Sequence, residues 1–460
     1  METVWKKYTD KDLKKVFDFA EGYKEFISLG KTERECTEYA VKTAKEHGYV
    51  DLNEFEKSGK KLKAGDKVYV TNRGKNFAAF LIGEKPLSEG IRLLGAHIDS
   101  PRLDLKQHPV YEDTDMAFGK THYYGGIKKY QWVTLPMALH GVVCLKDGSK
   151  VKVVIGEDPS DPVVGITDLL IHLAKDQLAK TSREALEGEQ LNITLGSIPL
   201  VSDDEKETEL VKKNVLKFFK DKYGFEEEDF MSAEFEVVPA GPARDYGLDR
   251  SMVMGYGQDD RVCAYTSLMS MMDLEKTDRT AAVLLVDKEE VGSIGATGMQ
   301  SRFFDGILVE LMTLEGNYSE FAMRKLYGNS DMLSNDVSAG YDPNFPQVME
   351  KNNSAYLGMG MTMNKYVGSG GKGGSNDANP EYIARIRHIL EEEGIAYQTA
   401  ELGRVDAGGG GTIAYILANY NMNVVDCGVA VLSMHSPWEV TSKADIYEAY
   451  KAYHAFLKNI

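Results

Sequence analysis

AAVLLVDKEEVGS, residues 281–293, decides how this chain is read. Ala281 to Val286 is short, apolar and rich enough in branched residues to form a buried strand. The next stretch, VGSIGATG at 291–298, reads as a turn opening towards a helix. Strand, turn and helix in that order belong to an α/β chain, where chemistry collects at the carboxyl ends of strands. Two adjacent carboxylates, Glu289 and Glu290, stand at such an end. They repel each other unless a cation or a shared proton relieves them. Either they are a solvated pair in a loop, or each has a task beside a metal.

The chain has 460 residues, too many for one simple core, so roughly two domains are expected. Its net charge of −17 argues against nucleic acid and anionic membranes as partners, because both call for basic surfaces. The four cysteines, Cys36, Cys144, Cys263 and Cys427, lie far apart and form no CxxC pair. Low cysteine density fits a reducing cytoplasm, the expected location. The first residues, METVWKKYTDKDLKKVFDFAEGY, lack the apolar core of a secretory signal. No apolar stretch is long enough to span a bilayer.

Working outward, Asp10 to Ala44 is helical in pattern, with Phe17, Ala20, Tyr23 and Ile27 near helical spacing. Strands are expected at 68–72, 78–83 and 91–97, the last running into GAHIDSPRLDLK. After Lys106 the texture changes. Tyr, Gly and Trp cluster in THYYGGIKKYQW, and short strand-like runs alternate with turns such as Lys146-Asp-Gly-Ser. The acidic segment 202–209 reads as the start of a solvated helix that continues over Lys212 to Tyr223. From about Asp249 strand and helix alternate again, with strands expected at Ala281 to Val286, Ser354 to Met361 and Val424 to Val431. A last helix is expected over Lys443 to Leu457. The pattern is an α/β domain, 1–106 and 249–460, interrupted by a mainly β insertion, 107–248.

Several residues at strand ends are candidate ligands. His97 follows an apolar run and precedes Asp99 by two positions. In His-x-Asp the carboxylate can accept the second ring N–H and fix the tautomer of a metal-bound imidazole. A satisfied core histidine is the other reading. His435 follows the run Val424 to Val431 and carries the same two readings. Asp259 and Asp260 precede a helix-like run, where capping competes with metal binding. Asp336, in Met332-Leu-Ser-Asn-Asp-Val, is either a ligand or a turn aspartate. Together these residues close five strand-like segments with imidazole and carboxylate groups, the donor mix of a two-metal hydrolase using zinc, cobalt or manganese. Two ions about 3.5–4 Å apart need a bridging carboxylate, terminal ligands and a base for the water between them.

Other motifs fail. GSGGKGG at 368–374 lacks the first glycine and the final Ser or Thr of a phosphate loop. AGGGGT at 407–412 reads as a tight turn into a helix over Thr412 to Asn419. No GxSxG or Cys/His nucleophile arrangement occurs.

GAHIDSPRLDLK, QDDR, DKEEVGS, SNDVSAGYDPNF, RVDAGGGGT and MHSPWE occur in an order that resembles the aspartyl aminopeptidase family of dinuclear zinc metallopeptidases. The resemblance covers about Leu94 to Glu439. It implies a phosphorylase/hydrolase-like mixed-sheet catalytic domain with an inserted β-rich dimerisation domain. It also implies a homo-oligomer, a dodecamer built from dimers, acting on peptides with free N-termini. By motif, His97 and Asp336 resemble the terminal ligands of one ion, and Glu290 and His435 those of the other. Asp259 resembles the bridge, Glu289 the general base and Asp99 the partner of His97. His172 resembles a residue that reaches a neighbouring subunit's active site, and Lys365 a substrate-binding lysine. The chain departs from the family pattern at Ala339 and Asp342, where histidines are usual, and in the glycine-rich 368–374 stretch. Those departures fall where the family's preference for acidic N-terminal residues is set.

The resulting expectation is hydrolysis of the first peptide bond, with Glu289 shuttling a proton from the activated water to the leaving amine. A dinuclear deacylase or carboxypeptidase would use the same ligands, and is told apart by its action on blocked N-termini. A non-catalytic scaffold would require a broken ligand set, and every ligand position is filled.

Overall fold

Ala281–Val286 does form a strand, and it lies inside a nine-stranded mixed sheet. The structure is a computed structural model describing residues 2–459. Met1 and Ile460, the outer ends of the expected catalytic domain, lie outside the described residues. In chain order the strands of this sheet are β1 (Val50–Asp51), β2 (Lys67–Asn72), β3 (Asn76–Leu81), β4 (Arg92–His97), β5 (Ala281–Val286), β6 (Asp331–Ser334), β7 (Met361–Asn364), β8 (Tyr397–Thr399) and β9 (Asn423–Gly428). Their spatial order is β1-β2-β3-β5-β4-β6-β9-β7-β8. Strands β5, β4, β6 and β9 run parallel, so their carboxyl ends share one edge.

Both faces of the sheet are covered, as parallel strands require. Alternate residues of β5 enter different cores: Ala281, Val283 and Leu285 on one side, Ala282, Leu284 and Val286 on the other. Apolar residues of the helices Asp10–Leu29, Glu33–Glu46, Gln258–Met272, Pro380–Glu392 and Lys443–Asn459 complete the first core. The helices Phe303–Glu315, Glu320–Asn329 and Ala414–Ala418 complete the second. The chain is thus a mixed α/β protein.

Several sequence expectations need correction. The helical run at 10–44 is two helices, each opened by a threonine capping box, Thr9 with Asp12 and Thr32 with Glu35. The strand expected at Ser354 to Met361 begins only at Met361. Gly358 and Gly360 turn the chain at positive φ, and the Asp445 carboxylate accepts both their N–H groups at 2.7 Å. The run Val424 to Val431 is broken after Gly428. Its second part, Ala430–Leu432, joins a separate five-stranded sheet with Arg244–Tyr246, Met252–Gly255, Ser338–Ala339 and Glu439–Ser442. The acidic segment 202–209 contains no helix, and the helix there spans Leu210–Tyr223. The helix expected over Thr412 to Asn419 is shorter, Ala414–Ala418.

The chain divides into two compact units. The first comprises 1–99, 243–434 and 439–460, and the second 100–242 and 435–438. The second holds a six-stranded antiparallel sheet in the order Lys150–Ile155, Met137–Cys144, Ala233–Pro239, Arg102–Asp113, Met116–Tyr124, Ile193–Gly196. Arg102–Asp113 runs unbroken past Lys106, so this unit begins a few residues before the change in texture.

At the end of β9, a Cβ on Gly428 would lie 1.9 Å from the carbonyl oxygen of Asp336. The obstacle is backbone, and it cannot swing aside. Gly428→Ala is expected to cost about 2–3 kcal/mol through forced backbone movement, read as a lowered thermal midpoint. An unchanged midpoint would mean the two segments separate freely.

Candidate metal centre

The shared carboxyl edge gathers the polar residues that follow the strands. β4 ends in His97, β5 continues into the turn Glu289–Val291, and β6 is followed by Asp336. Asp259 comes from the start of the helix Gln258–Met272, where the Asp259–Asp260 peptide bond is cis. His97 Nε2 lies 3.1 Å from Asp259 Oδ1 and 3.9 Å from Glu289 Oε2. One donor atom each from His97, Asp259 and Asp336 falls within 4.8 Å of the others, and so does one each from His97, Glu289 and Glu290.

Asp99 is the organising carboxylate. Its Oδ1 stands 3.3 Å from His97 Nδ1, the ring nitrogen away from Asp259. The same carboxylate accepts the backbone N–H of Glu289 at 3.1 Å and of Glu290 at 3.2 Å. The sequence reading saw only its pairing with His97.

The backbone of Asp259 and Asp260 is kinked out of helical geometry at the start of this helix, and the Asp259 carboxylate meets His97. Two further acids escaped the sequence reading as supports. Asp260 Oδ2 accepts the backbone N–H of His97 at 3.3 Å, and Glu439 Oε2 accepts that of Asp259 at 3.2 Å. Glu439 stood in the MHSPWE motif without a role. Its place at the end of the His435 motif is the one signal that marked it.

His435 follows the strand Ala430–Leu432 and groups with the second unit. Its Nδ1 is 2.9 Å from the carbonyl oxygen of Gly126. His172 lies on an exposed turn of the second unit, Ile171–Leu173. Lys365 follows β7, pairs with Asp377 and lines a groove of about 730 Å³ with Tyr366, Arg387, Tyr397 and Glu401. None of the residues around His97 lines that groove.

Electrostatics favour a cation among these donors. Burial raises the Asp336 carboxyl well above its ordinary value, and the charges of Asp260, Asp259 and Glu289 push it the same way against His97. Burial alone would lower the His97 imidazole. Its hydrogen bonds to Asp259 and Asp99, with the charge of Glu289, raise it well above the usual range instead. Protons held this way mark excess negative charge, which a dication can displace. One imidazole with several carboxylate oxygens is a donor set that suits zinc.

Such donors at the strand ends of an α/β sheet define a metal-dependent hydrolase. A family model described as aminopeptidase I zinc metalloprotease (M18) matches residues 26–457, and the chain belongs to that family, as do the aspartyl aminopeptidases. It is a zinc metalloaminopeptidase. A probable M18 family aminopeptidase 1 from Clostridium acetobutylicum is 60% identical over 458 residues, covering 100% of this chain and 98% of that protein. The crystal structure of an M18-family aminopeptidase from Thermotoga maritima is 42% identical, with a TM-score of 0.95 over 100% of this chain and 99% of that one. A yeast aminopeptidase solved as a dodecamer shares the fold at 20% identity, with a TM-score of 0.77 over 96% of this chain and 97% of its own.

Asp99→Asn removes the charge that faces His97 and accepts two N–H groups. Zinc affinity is expected to fall about 10–100-fold, measured by competition with a chelator. Unchanged affinity would remove Asp99 from the support of the centre.

Proposed function

We propose that the centre holds two divalent ions and removes the N-terminal residue of peptides. In this reading His97 and Asp336 are the terminal ligands of one ion, Glu290 and His435 those of the other, and Asp259 bridges them. The observation that carries it is the double engagement of Asp99, which faces His97 and also accepts the N–H groups of Glu289 and Glu290. One carboxylate thereby fixes an imidazole, a ligand and a base relative to one another. When bound, the ions supply Lewis acidity and lower the pKa of water at the site.

Glu289 is the general base of this reading. Its side chain, 3.9 Å from the His97 imidazole, accepts the proton of the attacking water. It then delivers that proton to the nitrogen of the departing peptide, so no charge is left on the leaving amine. Asp99, which is buried, presents its main-chain carbonyl at 3.1 Å and its carboxylate at 3.3 Å to the imidazole's Nδ1, so that nitrogen is occupied and Nε2 is turned to the ligand side. His172 and Lys365 are assigned to substrate contact, and the second unit to dimerisation within a larger homo-oligomer. The exposure of Leu169, Leu170, Ile171 and Leu173 on that unit supports an interface there. No helix among the described residues is long and apolar enough to cross a membrane.

Glu289→Gln is expected to keep the wild-type zinc content and lose about 10²–10⁴-fold in kcat. Near wild-type turnover at saturating zinc would rule out the base assignment. Glu290→Ala is expected to bind one ion fewer by metal analysis, and full occupancy would remove it from the ligand set. Peptides with acetylated N-termini are expected to resist hydrolysis. Their cleavage, with free N-termini untouched, would move the reaction to a deacylase or carboxypeptidase.

A further inference from the structure

The segment that carries Glu289 and Glu290 is bent at several points where an L-residue is not at ease. Lys288 and Ser293 adopt φ of 71° and 60°, beside Gly292 at 95° and Gly295 at 107°. Left-handed backbone at non-glycine residues persists only where the surroundings over-determine it. The surroundings here are a polar closure at the base of the loop. Asp287, the residue after β5, is 1% exposed, and its Oδ2 accepts the Thr297 hydroxyl at 2.6 Å. The backbone N–H of Asp287 donates to the Thr297 carbonyl at 3.3 Å, so the nine-residue loop between them is shut at its neck. Thr297 is itself buried, at 4% exposure.

The closed neck is fastened to the sheet from outside. The Asn76 amide, at the start of β3, donates to the Thr297 carbonyl at 2.6 Å, and the Asn72 amide, at the end of β2, donates to the Ala296 carbonyl at 2.7 Å. Strands β2 and β3 form the hairpin next to β5. A hydroxyl and a carboxylate therefore close the loop, and two amides hold it to the hairpin. None of these four side chains belongs to the proposed ligand set.

We propose that Asp287 and Thr297, with Asn76, are positioning residues for the peptidase reaction: the clasp fixes the turn that aims the Glu289 carboxylate. The inference rests on Glu289 being the general base. A base displaced by a fraction of an ångström loses much of its effect, because its proton transfer needs hydrogen-bond reach. The backbone N–H groups of Glu289 and Glu290 are pinned at one end of the loop by Asp99. The clasp pins the other end, so the side chains between them cannot drift.

Thr297→Val preserves shape and removes the donor, while Thr297→Ser keeps it. Thr297→Val is expected to lower kcat about 10–100-fold, with KM and zinc content near wild type, and Thr297→Ser to restore the rate. Asn76→Ala, which frees the Thr297 carbonyl from outside, is expected to lower kcat in the same direction and serves if the valine variant does not fold. The decisive comparison places Thr297→Val in a Glu289→Gln background. A clasp acting through Glu289 adds no further loss there, whereas a general loss of structure multiplies the two effects. Wild-type kcat in Thr297→Val, failure of Thr297→Ser to restore the rate, or multiplicative losses would each overturn the clasp. Glu289→Gln measured alone separates the two ideas: if it retains turnover the base assignment has failed, and if it loses turnover while Thr297→Val does not, only the clasp has.

Discussion

Like charge crowded at one buried edge is the constraint on which this structure turns. His97, Asp99, Asp259 and Asp336 are all less than a tenth exposed, and Glu289 and Glu290 border them. Two unit charges 4 Å apart repel by about 4 kcal/mol at an effective dielectric near 20. Several such pairs are incompatible with a marginally stable fold unless protons or cations intervene. Burial and the neighbouring carboxylates raise the Asp336 and Asp260 carboxyls well above their ordinary value, the direction that crowded negative charge imposes. Burial thus makes the edge costly on its own and favourable to a dication.

A site of this kind must be held by something other than its own attractions, and the support comes from behind. Four backbone N–H groups of the proposed ligands and base are committed to another acid: His97 to Asp260, Asp259 to Glu439, and Glu289 and Glu290 to Asp99. Asn335, just before Asp336, donates its amide to Ser267 on the helix Gln258–Met272. The main chain is fixed at these points, which leaves the side chains free to face inward. The same arrangement explains the close crossing at Gly428, where β9 can end against the Asp336 backbone only without a side chain. Two apolar cores on opposite faces of the sheet give these contacts a rigid base.

Much of this was legible because a parallel strand writes its end in the sequence. β4, β5 and β6 are apolar runs followed within a few positions by His97, Asp287 to Glu290 and Asp336, so position and chemistry could be read together. Asp259 was harder, since an acid before a helix usually caps it, and only the third dimension turns it towards His97. The break at Val429 was invisible because both halves of the run are buried and apolar, and only their partners in two different sheets distinguish them. Asp445, which bends the chain at Gly358 and Gly360, lies some 85 residues away in sequence. The supporting role of Asp260, and Glu439 and Thr297 altogether, were missed for the same reason. Each acts through a hydrogen bond to a distant segment, and no local pattern encodes the partner.

The neighbouring glutamates can now be understood as a problem in backbone direction. In a continuing strand they would point to opposite faces, and one would be lost to the site. In a regular helix they would splay by roughly 100° around the axis. The chain does neither: Lys288 turns left-handed after β5, and Glu289–Val291 forms a single tight turn. Both N–H groups then reach one carboxylate, Asp99, which requires the two residues to lie on one side of the turn. Consecutive side chains leaving that turn can share a centre without sharing a task, because their backbone is held and their directions differ. The strained backbone at Lys288 is the local cost of that division, and it is offset by hydrogen bonds from Asp99 to the turn and from the β2–β3 hairpin to the far end of the loop at Ala296 and Thr297.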